Sequence, residues 1–292
     1  MRAAYLELHI AVFLFGISGL FGKLLDDSPV TIVLGRTLFA AIAIYIGLKL
    51  FRKSLSASPK SLLLMSLSGV VLAMHWAIFF HSIQLSSVAI GLIGFSTFPL
   101  FVTLLEPLIF TQRYRATDLL TAVLVFFGLL LVVPEFDLGN SATLGLLWAI
   151  LSGALFGVLT LINRKLVETN SFLTVAFFQH SSAAVCMLPF VVVAANNIDA
   201  NSLLLLLILG VVCTALPQIL FIKSLKRVKA QLASIVAGLE PVYGIGFAAL
   251  LLGEVPTLQT IVGAGIVFAA VILAMKLHTI PGAVPPENKD GT

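Results

Sequence analysis

The stretch SIVAGLEPVYGIGFAALLLGE, Ser234–Glu254, decides what kind of molecule this is. It is apolar nearly throughout, and long enough for a hydrocarbon layer that takes about 20 residues of helix to cross. At its centre stand a carboxylate and a helix breaker, Glu240-Pro241. Both are expensive there. A charge costs about 2.5–3.5 kcal/mol at the middle of an inserted helix, and a proline removes a backbone hydrogen bond. A second stretch, LIGFSTFPLFVTLLEPLIFTQ at Leu92–Gln112, reads as a degraded copy, with Pro99 standing where Pro241 stands.

Working outward, the whole chain has this character. Of 292 residues, 60% are hydrophobic and 10% charged, against about a quarter charged in soluble domains. This composition predicts an all-α integral membrane protein. Apolar runs this long without alternation exclude barrel strands. Ten runs are predicted, at 5–25, 29–51, 61–83, 86–110, 117–133, 143–165, 171–194, 202–224, 229–252 and 257–277. The first lacks an A-x-A exit and reads as a retained span. Residues 281–292, PGAVPPENKDGT, read as a disordered tail. Cys186 and Cys213 lie in apolar runs and read as reduced core residues. The net charge of +4 points to no nucleic acid, because in a membrane protein the distribution of Lys and Arg matters more than their sum.

That distribution is regular. Alternate connections carry Arg52, Lys53 and Lys60, then Arg113 and Arg115, then Arg164 and Lys165, then Lys223, Lys226, Arg227 and Lys229. The others carry Asp26 and Asp27, Glu135 and Asp137, Asp199, and Glu254. By the positive-inside rule both termini are cytoplasmic, in a multi-pass protein of the inner (plasma) membrane.

The two opening stretches belong to a longer repeat. Pro99 and Pro241 are 142 residues apart, and at that offset Phe79 falls on Phe221, Ser82 on Ser224 and Val125 on Val267. At 141, Phe15-Gly16 falls on Phe156-Gly157 and Lys23 on Arg164. The expected architecture is ten transmembrane helices as a five-plus-five inverted repeat. Residues 1–138 form the first half and 139–280 the second, with any site near the midplane where the halves meet.

Ten spans in this arrangement, with LEPVYGIGFAALLLGE (Leu239–Glu254) ending span 9, resemble the EamA-type members of the drug/metabolite transporter superfamily. The resemblance covers all ten spans. It implies a transporter, usually an exporter, with a cavity lined by spans 1–4 and 6–9 and with spans 5 and 10 peripheral. The chain departs from the family pattern at the end of span 4, where Gln112 stands in place of the common Glu.

Intramembrane polar residues are the site candidates. Glu240, near the middle of span 9, reads either as a proton or cation site or as a carboxylate bonded between helices. Pro99 and Pro241 are candidate helix breaks. Arg36 cannot shed its charge and calls for a counter-charge, if it does not snorkel. His75 and Trp76 in span 3, Gln179 and His180 in span 7, and Gln218 after Pro217 in span 8 complete the set. Glu106 is near enough to the end of span 4 to meet Arg113. His75 and His81 are six apart, on different faces, so no metal pair is expected. GISGLFG (Gly16–Gly22) and SGALFG (Ser152–Gly157) follow no strand and read as close helix crossings rather than phosphate loops.

The function expected is a secondary transporter of a small polar or amphipathic metabolite, an amino acid, nucleoside, amine or drug-like compound, by alternating access. Proton coupling stays open. A membrane-embedded enzyme or an uncoupled facilitated-diffusion channel is the alternative. Neither H-E-x-x-H nor G-x-S-x-G is present, nor a Walker motif for ATP coupling, and no cofactor is expected. The partners expected are a small-molecule substrate and the lipid bilayer, with a homodimer left open.

Overall fold

The computed structural model describes residues 2–52, 54–110, 116–132, 137–194, 199–228, 233 and 236–279. Among them there is no strand. The helices are α1 (Arg2–Ser18), α2 (Phe21–Leu24), α3 (Pro29–Leu50), α4 (Pro59–Leu85), α5 (Val88–Phe95), α6 (Phe98–Phe110), α7 (Ala116–Val132), α8 (Ser141–Thr169), α9 (Phe172–Ala194), α10 (Ala200–Gly210), α11 (Leu216–Ser224), α12 (Glu240–Leu251) and α13 (Leu258–Thr279). A π turn at Val211–Ala215 joins α10 to α11.

Seven segments are long and apolar enough to cross a membrane: Ala4–Leu24, Pro29–Leu50, Pro59–Leu85, Val88–Ile109, Ser141–Thr169, Phe172–Val191 and Ala200–Ser224. Three shorter apolar helices, Val123–Val132, Glu240–Leu251 and Leu258–Ala270, fall at the other three expected spans. The span expected at 229–252 is interrupted: the chain turns at Gly238 and Leu239 before α12 begins. Arg113, Arg115, Glu135, Lys229 and the tail 281–292 lie outside the described residues.

Local chemistry sets the helix starts. Ser28, Ser58, Ser87, Asn140 and Asp199 each accept a backbone N–H from the first turn they precede, satisfying donors that have no partner within the helix. Proline opens α3 and α4, where its missing N–H costs nothing. The outer surface is apolar: Leu38, Ile42 and Ile46 on α3, and Leu203, Leu204 and Leu207 on α10, are exposed. Polar groups turn inward instead and bond to local carbonyls, as Thr37 Oγ1 does to Val33 O at 2.7 Å and Thr160 Oγ1 to Phe156 O at 2.8 Å. This arrangement suits lipid rather than water as the solvent.

Packing between the halves comes in matched pairs. α4 lies on α8 and α1 on α11; α6 lies on α8 and α1 on α12; α4 lies on α9, and α3 on α10 and the π turn. α7 packs mainly on α13, and α3 on α9. The match extends to atoms. A Cβ on Gly157 would lie 3.0 Å from Phe101 Cβ, 3.3 Å from Phe98 O and 3.4 Å from Val102 N. A Cβ on Gly16 would lie 2.8 Å from Tyr243 Cβ, 2.9 Å from Glu240 O and 3.1 Å from Gly244 N. These are the same three atoms, 142 residues on. Likewise Gly69 abuts Gln179 O and Ser182 Cβ, while Gly210 abuts Arg36 O and Phe39 Cβ. The glycines permit an approach that any side chain would block.

Candidate functional site

Two helices break near the middle of the molecule. α5 ends at Phe95, the chain turns at Ser96 and Thr97, and α6 starts at Phe98 with Pro99 in its first turn. The break thus precedes Pro99 rather than falling on it, and Ser96 Oγ and Thr97 Oγ1 bond back to Ile93 O (2.6 Å) and Gly94 O (2.8 Å). The second break is at Gly238 and Leu239, with Glu240 and Pro241 opening α12. Glu240 is therefore 5% exposed, in the first turn of a helix whose N-terminal dipole favours negative charge. Gly16 lets α1 lie directly against this turn.

Glu240 borders a small cavity together with Gln218, His75 and Ser18. Its remaining wall is aromatic: Trp76 from α4, and a cluster in which Phe95 lies 5.4 Å from Phe79 and 5.3 Å from Phe156 between ring centroids. The cavity measures about 20 Å³, room for roughly one water molecule. Larger clefts lie at the two ends of the bundle. One of about 480 Å³ is lined by Lys23, Asp26, Asp27 and Gln84, and one of about 470 Å³ by Arg164, Glu168, Lys226 and Arg227. Between them the centre is shut.

Contacts between the halves hold both ends. At the first cleft, Glu254 Oε2 accepts from Val88 N at 2.9 Å, capping α5, while Lys23 Nζ donates to Ser86 O at 3.0 Å within the first half. At the other, Arg164 pairs with Glu106 and Lys223 with Glu7. The sequence also points Glu106 to Arg113, which lies outside the described residues; Arg164 reaches Glu106 because α6 and α8 pack side by side, which proximity along the chain does not reveal.

Beside the cavity is an unusual set of buried polar atoms. Arg36 is fully buried. Its Nε donates to Thr214 Oγ1 at 3.1 Å, and its guanidinium carbon sits 3.8 Å from the Trp76 ring centroid and 5.2 Å from that of Phe80. Neither Nη1 nor Nη2 has a hydrogen-bond partner. Arg36 and Glu240 are within electrostatic reach of each other, but among the described residues neither takes part in an ion pair. Arg36 does not snorkel. Its side chain runs inward, and the aromatic face of Trp76 partly replaces water. Gln218 is fully buried, with both Nε2 and Oε1 unpartnered. His180 Nδ1 is 2.8 Å from Ala176 O, an acceptor only, so the ring proton is on Nδ1 and the unpartnered Nε2 is an acceptor. His180 also lies 5.7 Å from Trp76, ring to ring.

The sequence candidates thus separate. Glu240, Gln218, His75 and Trp76 meet at the cavity, and Arg36 and His180 stand behind Trp76. His75 is anchored to α8, with Nδ1 2.8 Å from Ser152 Oγ and 3.0 Å from Ser152 O. Gln179 faces elsewhere: Nε2 donates to Ser68 Oγ at 2.8 Å and to Asn163 Oδ1, clasping α9 to α4 and α8. Sequence reasoning missed Thr214, the residue that holds Arg36. Its signal is a second polar residue four before Gln218 in an otherwise apolar run.

The described architecture is all-helical, with seven segments long and apolar enough to cross a membrane and a buried polar cluster between them, and comparison with known proteins identifies it as a membrane transporter. The model of the EamA-like transporter family matches the chain twice, at residues 2–133 and 143–276. The chain belongs to that family. Similar proteins include the "Uncharacterized transporter YxxF" of Bacillus subtilis (strain 168), 22% identical over 98% of this chain and 94% of that one. "Protein RarD" of Salmonella typhi is 24% identical over 90% and 91%, and an "Uncharacterized transporter" of Archaeoglobus fulgidus is 26% identical over 68% and 72%. A protein of known crystal structure shares the fold with a TM-score of 0.73, 15% identity, and coverage of 95% of this chain and 98% of that one.

Proposed function

We propose that this protein is a secondary transporter, an exporter, that moves a small polar or amphipathic metabolite across the plasma membrane by alternating access. The two five-helix halves, 1–138 and 139–280, are inverted repeats rocking about the site that contains Glu240. The termini are cytoplasmic. Support for the repeat comes from the matched crossings at Gly16 and Gly157 and from the double family match. Helices paired as first-half-on-second, each with a counterpart in which the halves trade places, are what a two-fold axis between the halves produces.

The observation that carries the mechanism is the cavity holding Glu240. It lies between two end clefts, and contacts between the halves hold each end. Breaking one set at a time exposes Glu240 to one side at a time. A carboxylate so placed takes a proton or an amine from one side and yields it to the other. Arg36 is the charged group within electrostatic reach of Glu240, and His75 and Gln218 line the same cavity. In proteoliposomes Glu240→Gln keeps size and hydrogen bonding but cannot ionise. It should fold normally and either lose transport or lose its dependence on pH. Parent-like transport across the pH range would refute the reading. External cysteine labelling that reaches Lys226 but not Asp137 would refute the topology.

A further inference from the structure

A second group of charges lies away from Glu240, in the cleft where α2 turns into α3 beside the end of α4. We infer that this cleft binds a hard divalent cation of the calcium type, held by the carboxylates of Asp26 and Asp27 and the amide oxygen of Gln84. Asp27 is 8% exposed, and its Oδ2 is buried with no hydrogen-bond partner. Asp26 beside it is exposed, and both line the same cleft of about 480 Å³. Neither carboxylate joins an ion pair among the described residues. Lys23 also lines the cleft, but its ammonium group donates to the carbonyls that end α4, Ser86 O at 3.0 Å and Gln84 O at 3.4 Å. The N-cap of α3 is filled as well, because Ser28 Oγ accepts from Thr31 N at 3.3 Å. Two negative charges thus face one positive charge, and the buried oxygen is left over. A carboxylate oxygen withdrawn from water with neither donor nor cation is costly.

The surroundings hold these oxygens in place. Gly22 lets α2 sit directly on α4, where a Cβ would lie 2.8 Å from Ile83 Cγ2 and 3.1 Å from Phe80 Cδ1. Gln84 Nε2 donates to Asp27 O at 2.8 Å, which ties the turn to α4 and leaves Oε1 as the acceptor of that amide. All three ligand groups are hard oxygens, and among the described residues neither histidine nor cysteine lines the cleft. That donor set selects calcium or magnesium over zinc or copper. Calcium accepts about six to eight oxygens in a flexible shell, so water in the open cleft completes an irregular set, whereas magnesium demands a near-ideal octahedron. Two carboxylates beside a lysine make a weak site, with a Kd of about 0.1–1 mM, the range of extracellular calcium modules. On the topology proposed above, the cleft faces the external medium. The site is separate from the Glu240 cavity and does not depend on the transport reading.

The test is thermal unfolding of the purified full-length protein in detergent, titrated with calcium chloride at constant ionic strength. The melting temperature should rise, with half-saturation at about 0.1–1 mM calcium. Sodium chloride or ethylammonium chloride in its place should give no such rise. Asp27→Asn should weaken calcium at least roughly tenfold, and Asp26→Asn, at an exposed position, roughly threefold. Lys23→Met removes the repelling charge and should tighten calcium roughly threefold; a lysine that only braces α4 would change stability without changing calcium affinity. If Asp27→Asn does not fold, Asp26→Asn and Lys23→Met still decide. A parent melting temperature that calcium up to about 10 mM leaves unchanged overturns the inference. So does a rise that ethylammonium reproduces, or a calcium affinity that Asp26→Asn or Lys23→Met leaves as it was. Each of these results leaves the transport reading standing, since flux through Glu240→Gln tests that reading separately.

Discussion

Gly16 on α1 and Gly157 on α8 make one kind of crossing twice, in opposite halves of the chain. At each, a glycine lies against the first turn of a helix that restarts after a break, and the atoms it meets are equivalent. Yet the residue opening that turn is Phe98 in α6 and Glu240 in α12. The same contrast recurs elsewhere. Arg36 and Gln179 occupy matching places at the crossings made by Gly210 and Gly69. One is a stacked, unpaired cation and the other an amide clasp between helices. Trp76 and Gln218, related by the same offset that links Phe79 to Phe221, face one cavity from two sides. Backbone geometry is held in common by small residues, whereas chemistry has been distributed unequally. At these crossings the small residues recur and the chemistry does not.

The comparison can be broken most severely by forcing the chemistry to match. Phe98→Glu puts a second carboxylate at a fully buried position with no counter-charge, and should cost about 3–5 kcal/mol, read as a collapse of the melting temperature in detergent. If it is tolerated, α6 and α12 differ less in their surroundings than the structure indicates. Next come the glycines themselves. Gly16→Val meets Tyr243 Cβ and the Glu240 carbonyl, which cannot swing aside, and should cost about 3 kcal/mol. Gly157→Val, at the looser crossing, should cost about 1 kcal/mol. Equal losses in thermal unfolding would erase the distinction between the crossings.

A smaller contrast separates the two ion pairs. The Glu106 side chain is 6% exposed and that of Glu7 22%. Glu106→Gln should therefore cost about 2 kcal/mol, as for a buried charged hydrogen bond, and Glu7→Gln below about 1 kcal/mol. The smallest effect is at Asp199. The N–H and hydroxyl of Ser202 hold its carboxyl below the usual carboxylate range. Its capping contribution is complete above that range and is lost as pH falls through its depressed value. Asp199→Ala should give the least change of the set near pH 7, and a flatter loss of stability on acidification.

The helical, membrane-embedded character of the chain was legible because composition and run length report it directly. So were Gly16 and Gly157 as crossings, since a small residue in a long apolar run has few other uses. Faces were not legible. Gln179 and His180 are neighbours in the sequence, but about 100° apart around a helix, and one clasps helices while the other stands beside Trp76. In a run apolar on every side, no periodicity tells which way each points. The partner of Arg36 was equally hidden, because a counter-charge was the natural expectation and an indole took its place.

The π turn at Val211–Ala215 accounts for part of that hidden geometry. Gly69 corresponds to Gly210 at an offset of 141, but Phe79 corresponds to Phe221 at 142. The second half takes in one more residue between these points, where the wide turn lies. One residue is about 100° of helical phase. The same turn presents Thr214, whose hydroxyl bonds Leu209 O at 2.6 Å and receives Arg36 Nε. Removing a single residue from Val211–Ala215 would restore the ordinary pitch and leave every residue of α11 in place by composition. It would also rotate Gln218 off the cavity and withdraw Thr214 from Arg36. A whole wall of the site is thus set by counting rather than by the identity of any side chain.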